Sequence, residues 1–330
     1  MNIKYIIITS VASPTKAVVD FSSREGWNLI VVGDKKTPEG WYNPNTFFLS
    51  TRDQELLDCK TARVLPWNHY SRKMLGYIHA IRNGAEVIHD TDDDNIPKPE
   101  WDELDFEGEF LTTNNNLGFI NIYKNFTSKH IWPRGFPLNL ITSPASVLKE
   151  DQLHKDEVNV GVWQYLADGD PDVDAIYRLT CSEACFFLKR RPIVLGEGTL
   201  CPFNSQNTFF CKEVFPLLYL PSTVTFRFTD ILRGLVAQPI MWSIGKRLGF
   251  SDASVIQERN PHNYLEDFKS EIPCYLLSEK IVDITIQQIN SGNSLEDNLF
   301  QAYKGLFDNG IVERVELDIL TSWLEDLKSH

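Results

Sequence analysis

The sequence predicts an α/β fold: a mostly parallel sheet with helices on both faces, followed by a helical C-terminal region. Three observations carry this. β-Branched runs alternate with amphipathic stretches through the N-terminal third. Those runs close on glycine or small polar residues. One of them, starting at Ala85, ends in the carboxylates Asp90, Asp92, Asp93 and Asp94. Strand–helix–strand repetition implies crossover connections and hence parallel strands.

Taken in order, residues 4–9 form a β-branched run ending at Thr9-Ser10, and Ser13-Pro14 reads as the cap and first-turn proline of a helix. A second buried strand spans 28–32 and closes on Gly33-Asp34. A third spans 46–50, and Ser50 opens another helix with acidic residues in its first turn. Met74, Tyr77, Ile78 and Ile81 recur at helical spacing, and Gly84 stops that helix before the acidic strand. Residues 119–123 read as a strand. Residues 169–174 read as a turn into a strand over 175–179, with Asp172 or Asp174 meeting the site. A helix enters at Thr229 or Asp230, and amphipathic helices follow from Ser278. The expected organisation is a nucleotide-binding half over 1–110, an acceptor half of the same domain over 111–275, and a helical cap over 276–330. That cap doubles as a candidate homodimer surface.

A chain of 330 residues, 42% hydrophobic and 23% charged, has the composition of an ordinary globular protein. The net charge of −13 argues against nucleic acid or an anionic membrane as the main partner. Six cysteines without paired spacing point to free thiols in a reducing compartment. No apolar run reaches membrane-spanning length and no secretory leader is recognised, so a soluble, cytoplasmic protein is expected.

Four carboxylates within five positions repel one another unless a cation sits among them. A divalent ion, Mn²⁺ or Mg²⁺, held by one or two carboxylates and a substrate's phosphates would supply it. A solvated acidic turn is the plain alternative. Strand periodicity points Asp90 and Asp92 the same way. This assigns Asp92 to the metal and Asp90 to ribose or a metal-bound water, with Asp93 or Asp94 as second ligand. Thr9, Ser10 and Asp34 lie at strand ends, where a base and ribose are held. Arg72 and Lys73 open the preceding helix and face phosphate oxygens. Neither G-x-G-x-x-G nor a P-loop follows the first strand, which disfavours a dinucleotide-binding fold. The layout is that of the nucleotide-sugar half of a GT-A glycosyltransferase.

The chain resembles the plant STELLO glycosyltransferase family from Tyr5 to about Leu327. The resemblance rests on Arg72-Lys73 with Gly76, the 90–93 cluster, 132–138 (Trp-Pro-Arg-Gly-Phe-Pro-Leu), 169–174 (Gly-Asp-Pro-Asp-Val-Asp), 204–208 and 230–234. It implies a GT-A fold and sugar transfer, without fixing donor or acceptor; a UDP-sugar donor and a glycan or other hydroxyl acceptor are the expectation. By comparison with GT-A enzymes, Asp230 is the candidate base and His262 a candidate third metal ligand. Arg233 would pair with Asp230 or reach a phosphate, and Arg134 would clamp a diphosphate or stack on Trp132. The amides and hydroxyl of Asn204, Ser205 and Asn207 suit acceptor hydroxyls. The transferred sugar is expected to be a pentose such as xylose or a hexose such as glucose. Inversion with Asp230 as base is the expected route, and a retaining front-face route stays open. A non-catalytic scaffold and a nucleotidyltransferase are the competing classes, although the latter usually carries a glycine-rich loop where this chain has Ser10-Val11-Ala12-Ser13-Pro14.

Overall fold

The computed structural model describes residues 3–181, 183–258 and 263–328. Strands β1 (Lys4–Thr9), β2 (Trp27–Val32) and β3 (Thr46–Leu49) run parallel, and β4 (Val87–Thr91) joins β1 on its other side. Helix α1 (Lys16–Phe21) covers one face, and α4 (Met74–Arg82) covers the other, after the short α2 (Thr51–Leu56) and α3 (Lys60–Val64). Ile6 and Ile8 pack with Val18 and Phe21, whereas Ile7 between them packs with Met74 and Ile78. All three isoleucines are buried because side chains alternate faces and both faces are covered. Gly76 lets α4 rest directly on the sheet, since a Cβ there would lie 2.7 Å from an Ile7 methyl.

Beyond β4 the sheet becomes mixed. The elements are β5 (Asn95–Pro97), β6 (Glu107–Thr113), β7 (Gly118–Phe119), β8 (Leu153–Gly169), β9 (Ile193–Val194), β10 (Thr199–Leu200), β11 (Asn207–Cys211) and β12 (Lys246–Gln257). Ten strands form one sheet in the order β3-β2-β1-β4-β11-β8-β6-β9-β12-β5, while β7 and β10 pair separately. The parallel strand β4 has antiparallel β11 as its outer neighbour. The carboxylates therefore sit at the carboxyl end of the last strand of the parallel half, beside the change of direction. Ligands of open α/β sheets bind in such crevices. The architecture is the expected α/β, Rossmann-like one with a helical C-terminal region. α7 (Tyr264–Gln288), α8 (Leu295–Asp308) and α9 (Arg314–Lys328) follow α5 (Ala175–Thr180) and α6 (Thr229–Trp242).

Two segments differ from the sequence expectation. Residues 175–179 belong to α5 and not to a strand, because the Asp174 carboxylate accepts from Tyr177 N and nucleates a helical turn. The strand expected at 119–123 stops at Phe119 and turns into a 3₁₀ segment. There the Asn121 amide donates to Ile131 O at 2.8 Å, and its backbone N–H to Ser146 O. The cap and first-turn proline read at Ser13-Pro14 give way to Thr15 as N-cap of α1. All six cysteines are unpaired. Among the described residues no helix is long and apolar enough to cross a membrane.

Helix α6 is seated by Gly234, whose Cβ position lies 2.3 Å from the Phe203 carbonyl oxygen. A backbone atom cannot swing aside as a side chain would. Gly234→Ala is expected to lower the unfolding free energy by roughly 1–3 kcal/mol, as overpacking does. Urea denaturation measures this, and an unchanged midpoint would show that α6 retreats freely.

Candidate active site

The site is built on a buried ion cluster. Asp90, fully buried near the end of β4, takes Lys73 Nζ at 2.6 Å on one oxygen and Arg233 Nη1 at 2.7 Å on the other. Burial alone would raise the Asp90 pKa. The Lys73 and Arg233 charges overcome burial and hold the carboxyl below its usual range. Lys73 comes from the 3₁₀ turn ahead of α4 and also donates to Thr91 O at 2.6 Å. It reaches Asp92 Oδ1 at 3.2 Å, and Tyr70 Oη donates to that same oxygen at 2.8 Å. Among the described residues only Oδ1 of Asp92 is engaged, and its side chain remains 34% exposed. Burial, with Asp90 and Asp230 nearby, pushes the Asp92 carboxyl upward.

Above this floor opens a cavity of about 430 Å³, lined by the ends of β1, β2 and β4. Thr9, Ser10, Asp34, Arg72, Asp92, Asp93 and Asp94 all face it. Each wall is fixed locally. The Ser10 hydroxyl donates to Asp93, and Thr15 Oγ1 donates to Asp93 O at 2.5 Å. Asp34 accepts from Lys35 N at 2.7 Å and from His69 N at 3.2 Å, pinning the loop that precedes Tyr70. Arg72 donates to Gln54 Oε1 at 2.7 Å and Leu65 O at 3.1 Å, and its guanidinium lies 3.6 Å over the Trp67 ring. Burial pulls the Arg72 pKa down to about 10, and its Nη2 has no hydrogen-bond partner among the described residues. Asp94 accepts from Gln257 Nε2 at 3.0 Å.

A smaller cavity of about 70 Å³ adjoins the first, lined by Tyr70, Asp92, Arg134, Phe226, Arg227 and Asp230. Asp230 lies in the first turn of α6, one residue after Thr229, with Phe228 in the cap position. Arg134 grips it with two nitrogens at 3.0 and 2.9 Å, and holds Asp172 with Nε at 2.9 Å and Nη2 at 2.8 Å. Arg227 is paired with Glu271 at 2.8 Å. Asp92 is the carboxylate, among the described residues, that lines both cavities.

Several residues read from the sequence as ligand contacts occupy other places. Asp90 and Arg233 lie beneath the cavity, consumed by each other and by Lys73, because an unpaired charge at that depth would be too costly. The sequence points to ribose or a metal-bound water at Asp90, to Asp230 or a phosphate at Arg233, and to phosphate at Lys73; the structure instead places all three beneath the cavity, paired with one another. Arg134 is spent on Asp172 and Asp230 and does not line the larger cavity. Asn204, Ser205 and Asn207 are buried and form internal structure. Asn204 Nδ2 donates to Asp172 at 2.8 Å, Ser205 N donates to Asp230 at 3.2 Å, and Asn207 joins His89, Leu166 O and Ser254. Asp174 is also internal, accepting from Trp132 Nε1 at 2.7 Å. His262 lies outside the described residues. Sequence reasoning passed over Tyr70, His69, Phe226, Arg227 and Gln257. Tyr70 adjoins Arg72-Lys73 and could have been found from that pair, whereas Gln257 arrives from the far end of β12 without any local signal.

The comparisons with known proteins bear on this geometry. A family model described as STELLO glycosyltransferases matches residues 227–330. "Probable glycosyltransferase STELLO1" of Arabidopsis thaliana is 26% identical over 98% of this chain, and "Probable glycosyltransferase STELLO2" of the same plant is 25% identical over the same share. The chain is thus similar to STELLO glycosyltransferases along nearly its whole length, and the family model matches its C-terminal part. The chain spans 44% of the length of the two curated relatives.

Buried Asp174 gives the region a measurable pH dependence. Burial raises its pKa to about 6, against hydrogen bonds from Tyr177 N and Trp132. The folded carboxyl therefore holds its proton better than the unfolded one, near 3.9. Its stabilising contribution is complete below about pH 4 and is lost as pH rises through 6, by up to roughly 3 kcal/mol. Asp174→Asn is expected to remove this slope. Urea midpoints of wild type and variant between pH 4.5 and 7.5 should diverge; parallel curves would contradict the assignment.

Proposed function

We propose that the chain transfers a sugar from a UDP-sugar to a hydroxyl of a glycan or glycoconjugate, in a GT-A-type site. The observation that carries this reading is Asp92, which lines both the nucleotide-sized cavity and the small one beside Asp230. A donor laid along the ends of β1, β2 and β4 would place base and ribose against Ser10, Asp34 and His69. Its diphosphate would lie toward Asp92 and its sugar in the small cavity.

The cation proposed is Mn²⁺ or Mg²⁺. The residues fit such an ion when a substrate shares it. Asp92 offers an Oδ2 that is unengaged among the described residues, and Asp94 lines the same cavity. Among the described residues no three His, Cys, Asp or Glu side chains gather into a closed metal site. A hard ion carried by one or two carboxylates plus phosphate oxygens requires no closed site. Asp92 and Asp94 would hold it, and when bound it would supply positive charge to the departing diphosphate.

The protein's own groups have separate tasks. Tyr70 and Lys73 orient Asp92 by fixing Oδ1, which leaves the other oxygen for the donor side. Phe226 packs edge-on to Tyr70 at 5.7 Å and closes the wall between the two cavities. Asp230 is placed to accept the acceptor's proton, and Arg134 fixes its orientation. The two-nitrogen grip of Arg134 favours a second reading. Asp230 would then serve to hold the arginine, and transfer would proceed on the retaining face without a protein base.

Calorimetry with UDP, with and without Mn²⁺, tests the donor site. Mn²⁺ is expected to tighten UDP binding at least roughly tenfold, and Asp92→Asn to abolish that gain without weakening metal-free binding. Absence of UDP binding under both conditions would favour a non-catalytic scaffold. For the base, Asp230→Asn is expected to slow transfer by about 10²–10⁴-fold at unchanged UDP affinity. A normal rate would assign Asp230 the holding role.

A further inference from the structure

Between α5 and β9 the chain runs beside the end of β8, and its side chains alternate between core and solvent. Cys185 and Phe187 are buried, whereas Phe186 is 64% exposed and Leu188 53%. The backbone that presents them is held in place. Cys185 exchanges two hydrogen bonds with Gly169, Phe187 N donates to Asp168 Oδ1 at 2.8 Å, and Leu188 N donates to Phe126 O at 2.7 Å. Two large apolar side chains are therefore turned to solvent by a fixed scaffold, and looseness of the loop is not the reason for their exposure.

Lys189, Arg190 and Arg191 come next, all exposed, and none forms an ion pair among the described residues. The acids around this run are mostly spent. Asp168 holds Lys98 at 2.7 Å and Glu183 holds Lys129 at 3.0 Å. Glu109, two residues before Leu111, the β6 partner of Ile193, holds Lys155 at 2.5 Å. Asp252, two residues past the Phe250 that pairs with Ile193, forms no ion pair among the described residues. Three unpaired cations against that one carboxylate leave the patch basic. The net charge of −13 is a sum over the whole chain. At physiological ionic strength a surface charge is felt over only about 8 Å, so the local excess decides what this face attracts.

Apolar side chains beside Lys and Arg suit one kind of surface. At a bilayer, rings and aliphatic chains enter the boundary between headgroups and acyl chains, while cations meet anionic headgroups. An acidic peptide would satisfy the cations but leave Phe186 and Leu188 in water unless it brought a pocket for them. We propose that residues 186–191 form a peripheral contact with anionic phospholipid membranes, Phe186 and Leu188 entering the interface and the three cations lying on the headgroups. The contact does not depend on the transfer reading above.

Vesicle co-sedimentation of the full chain tests it, with phosphatidylcholine alone and with an equal mixture of phosphatidylcholine and phosphatidylserine. Binding is expected on the mixed vesicles, is expected to be far weaker on phosphatidylcholine, and should fall with added salt. Lys189→Gln, Arg190→Gln and Arg191→Gln together should weaken it by roughly a hundredfold, about fivefold per charge. Phe186→Ala with Leu188→Ala should weaken it by roughly tenfold. All five side chains are exposed, so both variants should keep the wild-type urea midpoint, which separates the readout from folding. No binding to the mixed vesicles, or full binding by either variant, would overturn the proposal. A patch that instead holds a poly-glutamate peptide through the three cations, with Phe186 and Leu188 indifferent, would belong to an acidic chain, and the membrane contact would fall.

Discussion

The structure depends on one buried carboxylate. Asp90 is charged at a depth where charge is tolerated only when paired, and its partners arrive from distant parts of the chain. Lys73 is supplied by the turn before α4, and Arg233 by α6. Arg233 also donates to Asn204 O at 2.9 Å, which draws the 204–208 segment into the same cluster. Removing one member of such a group typically costs 3–5 kcal/mol, because the other charge is left stranded. The N-terminal parallel strands and the C-terminal helices are thus locked together directly beneath the cavity. The end of β4 has little freedom to move.

That lock sets the geometry above it. With Lys73 fixed by Asp90, its remaining contacts with Thr91 O and Asp92 Oδ1 are fixed as well. Tyr70 adds its hydroxyl to the same oxygen. Asp92 is thereby oriented through Oδ1, and its second oxygen has no protein partner among the described residues. The Asp172–Arg134–Asp230 set repeats the arrangement on the neighbouring cavity, where a guanidinium fork fixes two carboxylates at once. Preorganised charges of this kind spare a reaction the work of reorienting its surroundings.

The sequence revealed the frame of this molecule better than its chemistry. Alternating apolar runs gave the parallel strands, and Gly84 marked the end of α4 because those signals are local. The carboxylate cluster was equally visible, but its division into buried and open members was not. Periodicity turned Asp90 and Asp92 to one side correctly, and both meet Lys73. Only Arg233, 143 residues away, decides that Asp90 becomes foundation and Asp92 becomes wall. The 204–208 segment misled for a related reason. Dense amides and hydroxyls resemble a ligand-binding loop, yet here most are taken up by the surrounding core, with His89 bonded to Asn207 and Gln164 to Thr208. Composition reports hydrogen-bonding capacity and says nothing of who uses it.

The same pairing limits what the site offers an anionic donor. Lys73, Arg134, Arg227 and Arg233 each face at least one carboxylate, so the fixed cations nearest the β4 end are already neutralised. Arg72 retains a buried Nη2 toward the base end, and Lys36 lines the rim. Against them stand Asp34, Asp92, Asp93 and Asp94 on the cavity wall. On the proposed reading, a pyrophosphate laid along this wall would meet these carboxylates close to Asp92, and a counter-ion arriving with the donor would offset them.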